Sequence, residues 1–152
     1  MFTFRRAEYA DADALLARGV RQADHRECLK AAGMAVGPAL RASVANSDLA
    51  VAACLEGKVI AMFGVGTDAA GQGLVWMMAH DEAEAPGLAV PLARASRRFV
   101  DSWQRHFKRL HNVADPEHKT SLRWLAWLGF NIDRANPVRG PLGHELYRFW
   151  RD

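Results

Sequence analysis

Two side chains of this 152-residue chain are suited to acid–base chemistry. His80 ends the apolar segment 74–80, a predicted strand, and an unperturbed imidazole titrates near neutrality. It is therefore a candidate general base, with a solvated strand end as the alternative. Glu27 lies on a predicted helix three residues after Asp24, so the two carboxylates share a face. Glu27 is a candidate for binding a cationic amine, and the alternative is that both carboxylates are solvated charges.

The sequence does not predict a metal site. His111 and His118 flank Asp115, but a metal site needs a third protein ligand and a firmer spacing. The two cysteines, Cys28 and Cys54, form no C-x-x-C pair and have no metal-ligand spacing. We therefore expect them to be reduced thiols.

Composition predicts one folded domain over residues 1–152. Hydrophobic residues make up 50% of the chain and charged residues 24%, which is typical of a globular protein rather than a disordered one. The net charge of +3 is compatible with a phosphate-bearing ligand, but no nucleic-acid-binding motif is present, so nucleic acid is not an expected partner. No apolar run can span a bilayer and the N-terminus lacks a secretory pattern, so we expect a cytoplasmic location.

Hydrophobic periodicity and turn residues predict the elements that position these side chains. The predicted strands are 2–5, 49–56, 58–66, 74–80, 110–114, 130–134 and 144–150. The predicted helices are 11–19 with Asp11 as its cap, 22–32 ending at Gly33, 38–46 starting at Pro38, 88–108 and 116–128. Gly57 marks a tight hairpin, and the Pro- and Gly-rich segment 135–143 is a predicted loop. This order predicts an α/β fold with a sheet covered by helices on both faces.

The predicted helix 116–128 carries signals for both of its ends. Asp115 can cap it by accepting free backbone N–H groups, and Pro116 suits the first helical position. Gly129 can adopt the left-handed conformation that ends a helix, and Phe130 then begins an apolar segment. Leucines recur at 122, 125 and 128, so one side of the helix is expected to pack on the core.

Three segments together resemble the GNAT superfamily of N-acetyltransferases. They are residues 4–19 (FRRAEYADADALLARG), residues 49–66 (LAVAACLEGKVIAMFGVG) and residues 118–130 (HKTSLRWLAWLGF). The last is similar to the family's N-x-x-[AS] motif closed by Leu-Gly-Phe, with Ser121 fitting and His118 standing where the family usually has Asn. The element order matches over essentially the whole chain. The resemblance implies a GNAT-like mixed, mostly antiparallel central sheet.

The resemblance also implies an acetyl-CoA site. The family's [QR]-x-x-G-x-[GA] loop corresponds to residues 84–89, where Gly87, Leu88 and Ala89 would present backbone N–H groups to a diphosphate. The further cofactor-binding positions that it implies are Met78 and Ala79 at the end of the preceding strand, and His118 and Ser121 on the late helix.

The sequence departs from the family pattern at several of these positions. Glu84 replaces a cationic or amide residue, Asp81 and Glu82 add negative charge, and Pro86 has no N–H to offer. Many members place a tyrosine five residues before the final Phe to protonate the leaving thiolate, and that position is Leu125 here.

Two functions remain open. The first is an acyl-CoA-dependent N-acetyltransferase that acts on a primary amine. The second is a GNAT-fold protein that has lost catalysis and binds protein partners in an assembly. The segments SLRWLAWLGF and RRFVDSW (97–103) look most like small GNAT-like proteins of short-tailed bacteriophages, some of them internal virion or ejection proteins. This resemblance implies a place in the virion or in the host cytoplasm.

Overall fold

A computed structural model describes all 152 residues. Its seven strands are β1 (Phe2–Arg6), β2 (Leu49–Leu55), β3 (Lys58–Thr67), β4 (Gly73–Ala79), β5 (Leu110–Ala114), β6 (Asn131–Arg139) and β7 (Glu145–Arg151). Its five α-helices are α1 (Tyr9–Arg18), α2 (Gln22–Ala32), α3 (Val36–Asn46), α4 (Ala89–Gln104) and α5 (Lys119–Trp127). A short 3₁₀ helix, Asp81–Glu84, follows β4.

The strands form one sheet in the order β1-β2-β3-β4-β5-β7-β6. Only β4 and β5 run parallel, and the other neighbouring pairs are antiparallel. One face of the sheet packs on α1, α2 and α3 through a core that includes Leu15, Leu40 and Met62. The other face packs on α4 and α5 through a larger core that includes Leu92 and Leu122. The predicted α/β fold, with a mostly antiparallel sheet and helices on both faces, is confirmed.

Several predicted boundaries agree with the structure because local backbone chemistry sets them. Helix α2 has the predicted bounds and ends at Gly33, whose φ of 64° is left-handed. The β2–β3 hairpin turns through Glu56 and Gly57 with φ of 51° and 79°. Two consecutive positive φ values match the right-handed twist of the strands that the turn joins.

The predicted starts of helices α1 and α3 are wrong. Helix α1 begins at Tyr9, and Asp11 lies inside its first turn, where its carboxylate accepts a 2.7 Å hydrogen bond from the N–H of Glu8. The same carboxylate forms two hydrogen bonds with Arg5 on β1, at 2.7 and 2.6 Å. Helix α3 begins at Val36, so Pro38 lies within its first turn, where a missing N–H costs nothing.

Helix α5 begins at Lys119 rather than at 116, and Asp115 does not cap it. The Asp115 carboxylate instead accepts hydrogen bonds from the Glu117 N–H and from the Lys30 ammonium, both at 3.0 Å. These bonds hold residues 115–117 in a turn ahead of the helix. At the other end Gly129 has φ of 91°, so the predicted left-handed end is confirmed.

Two other segments differ from prediction. Helix α4 covers Ala89–Gln104, not 88–108. Strand β6 runs on to Arg139 through Pro137, so the predicted loop 135–143 shrinks to a turn. Pairing with β7 is interrupted between Asp133 and Val138, and β6 is an edge strand, so the missing N–H of Pro137 breaks no ladder.

The feature that positions a site is the gap between the two parallel strands. β4 and β5 pair only at Gly73 with Leu110 and at Leu74 with His111, and then separate. Asn112 spans the start of the gap: its side-chain amide donates to the Val75 carbonyl at 2.7 Å. A side chain thus replaces the backbone hydrogen bond that a continuing ladder would have made.

We predict that Asn112→Ala lowers the free energy of unfolding by about 1–2 kcal/mol, because the Val75 carbonyl loses its donor in a part-buried position. Asn131→Ala is the matched control, since its amide makes only an exposed 3.4 Å contact with Trp150 and its loss costs less than about 0.5 kcal/mol. Urea denaturation of both variants measures the difference. Equal costs would contradict a bridging role for Asn112.

Candidate active site

A cavity of about 330 Å³ lies where β4 and β5 separate. Residues of both strands line it, with α2 and α3 on one side of the sheet and α4 and α5 on the other. It therefore joins the two faces of the sheet. Its volume is within the range of small-molecule sites, and 19 of its 26 lining residues are hydrophobic, so most of its wall orients a ligand by shape.

Met77 presents an unpaired peptide group to this gap. Backbone groups alternate in direction along a strand. The Gly73 N–H points away from β3 and donates to the Arg109 carbonyl at 2.9 Å. The His80 N–H points towards β3 and donates to the Ile60 carbonyl at 2.8 Å. By this alternation the N–H and C=O of Met77 point away from β3, and β5 has already separated there. Met77 is thus a donor and acceptor pair without a strand partner, which the sequence analysis did not identify.

Met78 and Ala79, the two strand positions expected to bind cofactor, do not supply the free backbone groups of β4. Both polar backbone groups of Ala79 are engaged: its N–H donates to Asp24 at 3.0 Å and its C=O accepts from the Arg21 N–H at 2.9 Å. Met78 is 6% exposed and packs in the core shared with α1–α3, although it also lines the cavity. The free backbone groups are therefore one position away, at Met77.

A buried ion pair closes the end of β4. Arg21 and Asp24 have side-chain exposures of 5% and 2%, and two hydrogen bonds of 2.8 Å join them. The third guanidinium nitrogen of Arg21 donates to Glu84 at 3.0 Å. The pair ties the start of α2 to β4 and to the loop after it. The Arg-x-x-Asp spacing at the start of a helix was the sequence signal for this pair.

Glu27 lies one turn after Asp24 and lines the cavity. Its Oε2 accepts a 2.9 Å hydrogen bond from the N–H of Asp115, which fixes the carboxylate at the end of β5. Its Oε1 makes no hydrogen bond within the protein, and the side chain is 23% exposed. One oxygen is thus anchored and the other is available to a cation in the cavity.

His118 lies behind Glu27 rather than on the cavity wall. Its Nδ1 is 3.6 Å from Oε2 of Glu27, the residue is 4% exposed, and neither ring nitrogen has a hydrogen-bond partner. It precedes α5 without capping it. Ser121, three residues later, does line the cavity. Of the two late-helix positions, only Ser121 is therefore on the wall that a ligand would touch.

His80 is engaged by its own turn. Its Nδ1 accepts the Glu82 N–H at 3.1 Å and so caps the 3₁₀ helix, which places the proton of the neutral ring on Nε2. His80 is not among the residues that line the cavity. Of the two candidate acid–base residues, the structure therefore places only Glu27 on the cavity wall.

The α4–α5 wall of the cavity has few polar groups. Leu125 lines it at the position where the family often has tyrosine. The indole N–H of Trp124 is buried, also on this wall, and has no partner. An unpaired buried donor in a cavity is a group that a bound ligand can satisfy. Nothing in the sequence distinguished Trp124 from an ordinary core residue.

The loop before α4 keeps two free backbone donors. The N–H groups of Leu88 and Ala89 both donate to the Ala85 carbonyl, at 3.0 and 3.2 Å. Gly87 and Val90 make no internal N–H bond, and Gly87 has φ of 85° with open space around it. These free groups are at the positive end of the α4 dipole.

The acidic side chains of this loop turn towards α1 and α2. Glu82 forms an ion pair with Arg18, and Glu84 forms one with Arg21 at 3.0 Å. Two of the three carboxylates that the sequence placed near a diphosphate are therefore neutralised by arginines. Asp81 stays exposed.

Nucleophilic chemistry at the cysteines is disfavoured. Cys28 lines the cavity, but burial, with the nearby Asp24 and Glu27 carboxylates, raises the pKa of its thiol to about 12. Cys54 is 3% exposed, and the two thiols are free. No group of three or more His, Cys, Asp or Glu side chains is placed to hold a metal ion.

We predict that Asp24→Ala lowers the free energy of unfolding by about 3–5 kcal/mol. The substitution removes the buried partner of the Arg21 guanidinium, which then keeps only the half-exposed Glu84. Glu84→Ala is the matched control: it removes the exposed partner of the same arginine and costs less than about 1 kcal/mol. Urea denaturation distinguishes the two. A smaller cost for Asp24→Ala than for Glu84→Ala would refute the assignment of the buried pair.

We also predict that the native protein does not react with Ellman's reagent at pH 8. With a pKa of about 12, roughly one Cys28 thiol in ten thousand is ionised at that pH. Unfolding in guanidinium should release both thiols for reaction. Rapid labelling of Cys28 in the native protein would contradict this environment.

Comparison with known proteins gives structural matches only. No family model matches the sequence, and no curated protein sequence matches it. No helix is long and apolar enough to cross a membrane.

The fold is similar to that of solved GNAT structures. It matches the ribosomal-protein-alanine N-acetyltransferase of Brucella melitensis with a TM-score of 0.70 at 17% identity, covering 98% of each chain. It matches the GNAT domain of PAT from S. lividans with a TM-score of 0.68 at 14% identity, covering 98% of this chain and 89% of that one. It matches yncA of Salmonella typhimurium, solved with its cofactor acetyl-CoA, with a TM-score of 0.67 at 16% identity, covering 99% and 93%. This chain therefore has the GNAT fold.

Proposed function

We propose that this protein is an N-acetyltransferase that transfers an acetyl group from acetyl-CoA to a primary amine. The observation that carries the proposal is the gap between β4 and β5, where the peptide group of Met77 has no strand partner and a cavity joins both faces of the sheet. The yncA structure, which has the same fold, contains acetyl-CoA. A narrow arm of a cofactor can take the place of the missing strand in such a gap.

The residues present fit acetyl-CoA on the α4–α5 side. An amide N–H of an extended chain can donate to the free C=O of Met77, and the buried N–H of Trp124 is available on the same wall. The N–H groups of Gly87 and Val90 at the start of α4 suit a diphosphate. The ion pairs of Glu82 and Glu84 reduce the repulsion that a diphosphate would meet there.

When bound, acetyl-CoA supplies the acetyl group as an activated thioester. The residues of this chain then have two tasks. Oε1 of Glu27 pairs with the ammonium of the incoming amine and accepts a proton from it, which frees the nitrogen lone pair. The N–H of Met77 would donate a hydrogen bond to the acetyl oxygen, where negative charge develops. The nitrogen would form its bond to the acetyl carbon as the C–S bond breaks, and the second proton that the nitrogen loses would neutralise the departing sulfur.

The alternative, a GNAT-fold protein without catalysis that binds protein partners, is favoured by the chemistry of the loop. Pro86 and Pro91 have no N–H, and the N–H groups of Leu88 and Ala89 are already bonded to Ala85. The loop thus offers two donors where a helix start can offer four. The resemblance to phage virion proteins rests on two sequence segments, and none of the three similar solved structures adds support to it.

Calorimetry with acetyl-CoA tests the cofactor site. We predict that Gly87→Val weakens binding by at least about tenfold, because a β-branched residue opposes the positive φ and places a side chain over the free donors. Gly71→Val is the control, since Gly71 has φ of 79° and equal space but lies in the turn before β4. If wild type does not bind acetyl-CoA, the non-catalytic alternative stands; if both variants bind alike, the loop is assigned wrongly.

The rate of acetyl transfer tests the role of Glu27. We predict that Glu27→Gln lowers kcat/KM for amines by about 100-fold, as the loss of an acid–base group does, while acetyl-CoA affinity stays unchanged. Glu145→Gln, at an exposed position of β7, should leave both quantities unchanged. Release of CoA from acetyl-CoA at saturating amine is the measurement. An unaffected rate in Glu27→Gln would remove this residue from the mechanism.

A further inference from the structure

We infer that the acceptor is a primary amine on an uncharged, apolar body, and that amino acids with a free carboxylate beside the amine are rejected. This inference rests on the proposed function and concerns the α2–α3 half of the cavity. The observation that carries it is the charge of that half.

Side-chain alternation on β4 divides the cavity into two halves. Val75 and Met77 face the core shared with α4 and α5, while Trp76 and Met78 face the core shared with α1–α3. The start of α4, with its free N–H donors, is on the first side. If the cofactor occupies that side, the acceptor reaches the gap from the α2–α3 side.

The α2–α3 half has no cation free to bind a carboxylate. Arg21 is the one cationic side chain among all residues that line the cavity. Each of its three guanidinium nitrogens donates to a carboxylate, two bonds going to Asp24 and one to Glu84. The cavity lining therefore has one positive group, Arg21, against two negative groups, Asp24 and Glu27.

This charge pattern favours an ammonium and opposes an anion. Glu27 offers an oxygen without an internal partner, and its other oxygen is held by the Asp115 N–H. An ammonium placed there gains a charge-assisted hydrogen bond. A carboxylate on the adjacent carbon would instead lie beside like charges in a mostly apolar cavity, which is unfavourable.

Apart from Ser43, whose hydroxyl donates to the Ala39 carbonyl at 2.9 Å, the remaining wall of this half is apolar. Ala31, Ala39 and Met78 line it, with the Trp76 ring, whose indole N–H is already bonded to Ser47 at 2.7 Å. Such a surface gains from contact with an aliphatic or aromatic body and offers few polar partners. The charge of Glu27 therefore favours an ammonium group, and the apolar wall favours an aliphatic or aromatic group attached to it.

Three probes that share one side chain test the inference: 2-phenylethylamine, L-phenylalanine methyl ester and L-phenylalanine. The ester keeps the bulk at the α-carbon but removes the negative charge, so it separates charge from size. Binding of each to the whole protein is measured by calorimetry with and without acetyl-CoA, and kcat/KM is measured for each. We predict that the amine and the ester bind at least about tenfold more tightly than the free amino acid and react at least about 100-fold better.

The outcomes separate this inference from the proposed function. Tight binding of amine and ester, with weak binding of the free amino acid, supports the inference even if no acetyl group is transferred, in which case only the acetyltransferase activity fails. Equal binding of ester and free amino acid, or no binding of any probe, overturns it. Glu27→Gln should weaken binding of 2-phenylethylamine by at least about tenfold. The exposed Glu145→Gln should not, and equal effects of both variants would overturn the role of Glu27 as well.

Discussion

The gap between two parallel strands is the constraint on which the rest of the structure depends. Backbone N–H and C=O groups must be paired when they leave water, yet β4 and β5 share only two residue pairs. Where the two strands separate, side chains of the protein form hydrogen bonds to most of the backbone groups of β4 that lose a strand partner. Asn112 bonds to Val75, and Asp24 bonds to the N–H of Ala79. Met77 alone between them stays open to a ligand.

Charge around this gap is arranged as a chain of pairs. Arg21 joins Asp24 on α2 to Glu84 in the loop before α4, and Lys30 joins α2 to Asp115 at the end of β5. The two pairs hold α2 across the separated ends of β4 and β5. Arg21, the one cation that lines the cavity, is paired in this way, and Glu27 Oε1 is the one carboxylate oxygen of the lining without a partner inside the protein.

The sequence predicts the fold well because hydrophobic period and turn residues are local signals. Helix α2 ending at Gly33 and the hairpin at Gly57 follow from backbone conformation alone. The starts of α1 and α5 cannot be predicted from local conformation, because Asp11 and Asp115 form hydrogen bonds to residues elsewhere in the fold as well as to their own turns. The candidate site depends still more on distant contacts. That Ala79 is engaged and Met77 is free follows from strand register and from Asp24, 55 residues away in the chain.

Amide hydrogen exchange at Met77, followed by NMR, tests the central claim most directly. Its N–H has no partner in the free protein, whereas the N–H of Ala79, two residues away on the same strand, is bonded to a buried carboxylate. We predict fast exchange at Met77 that becomes slow when acetyl-CoA is added, with slow exchange at Ala79 in both states. Protection of Met77 in the free protein, or no change on adding acetyl-CoA, would contradict the account that this gap is a binding site.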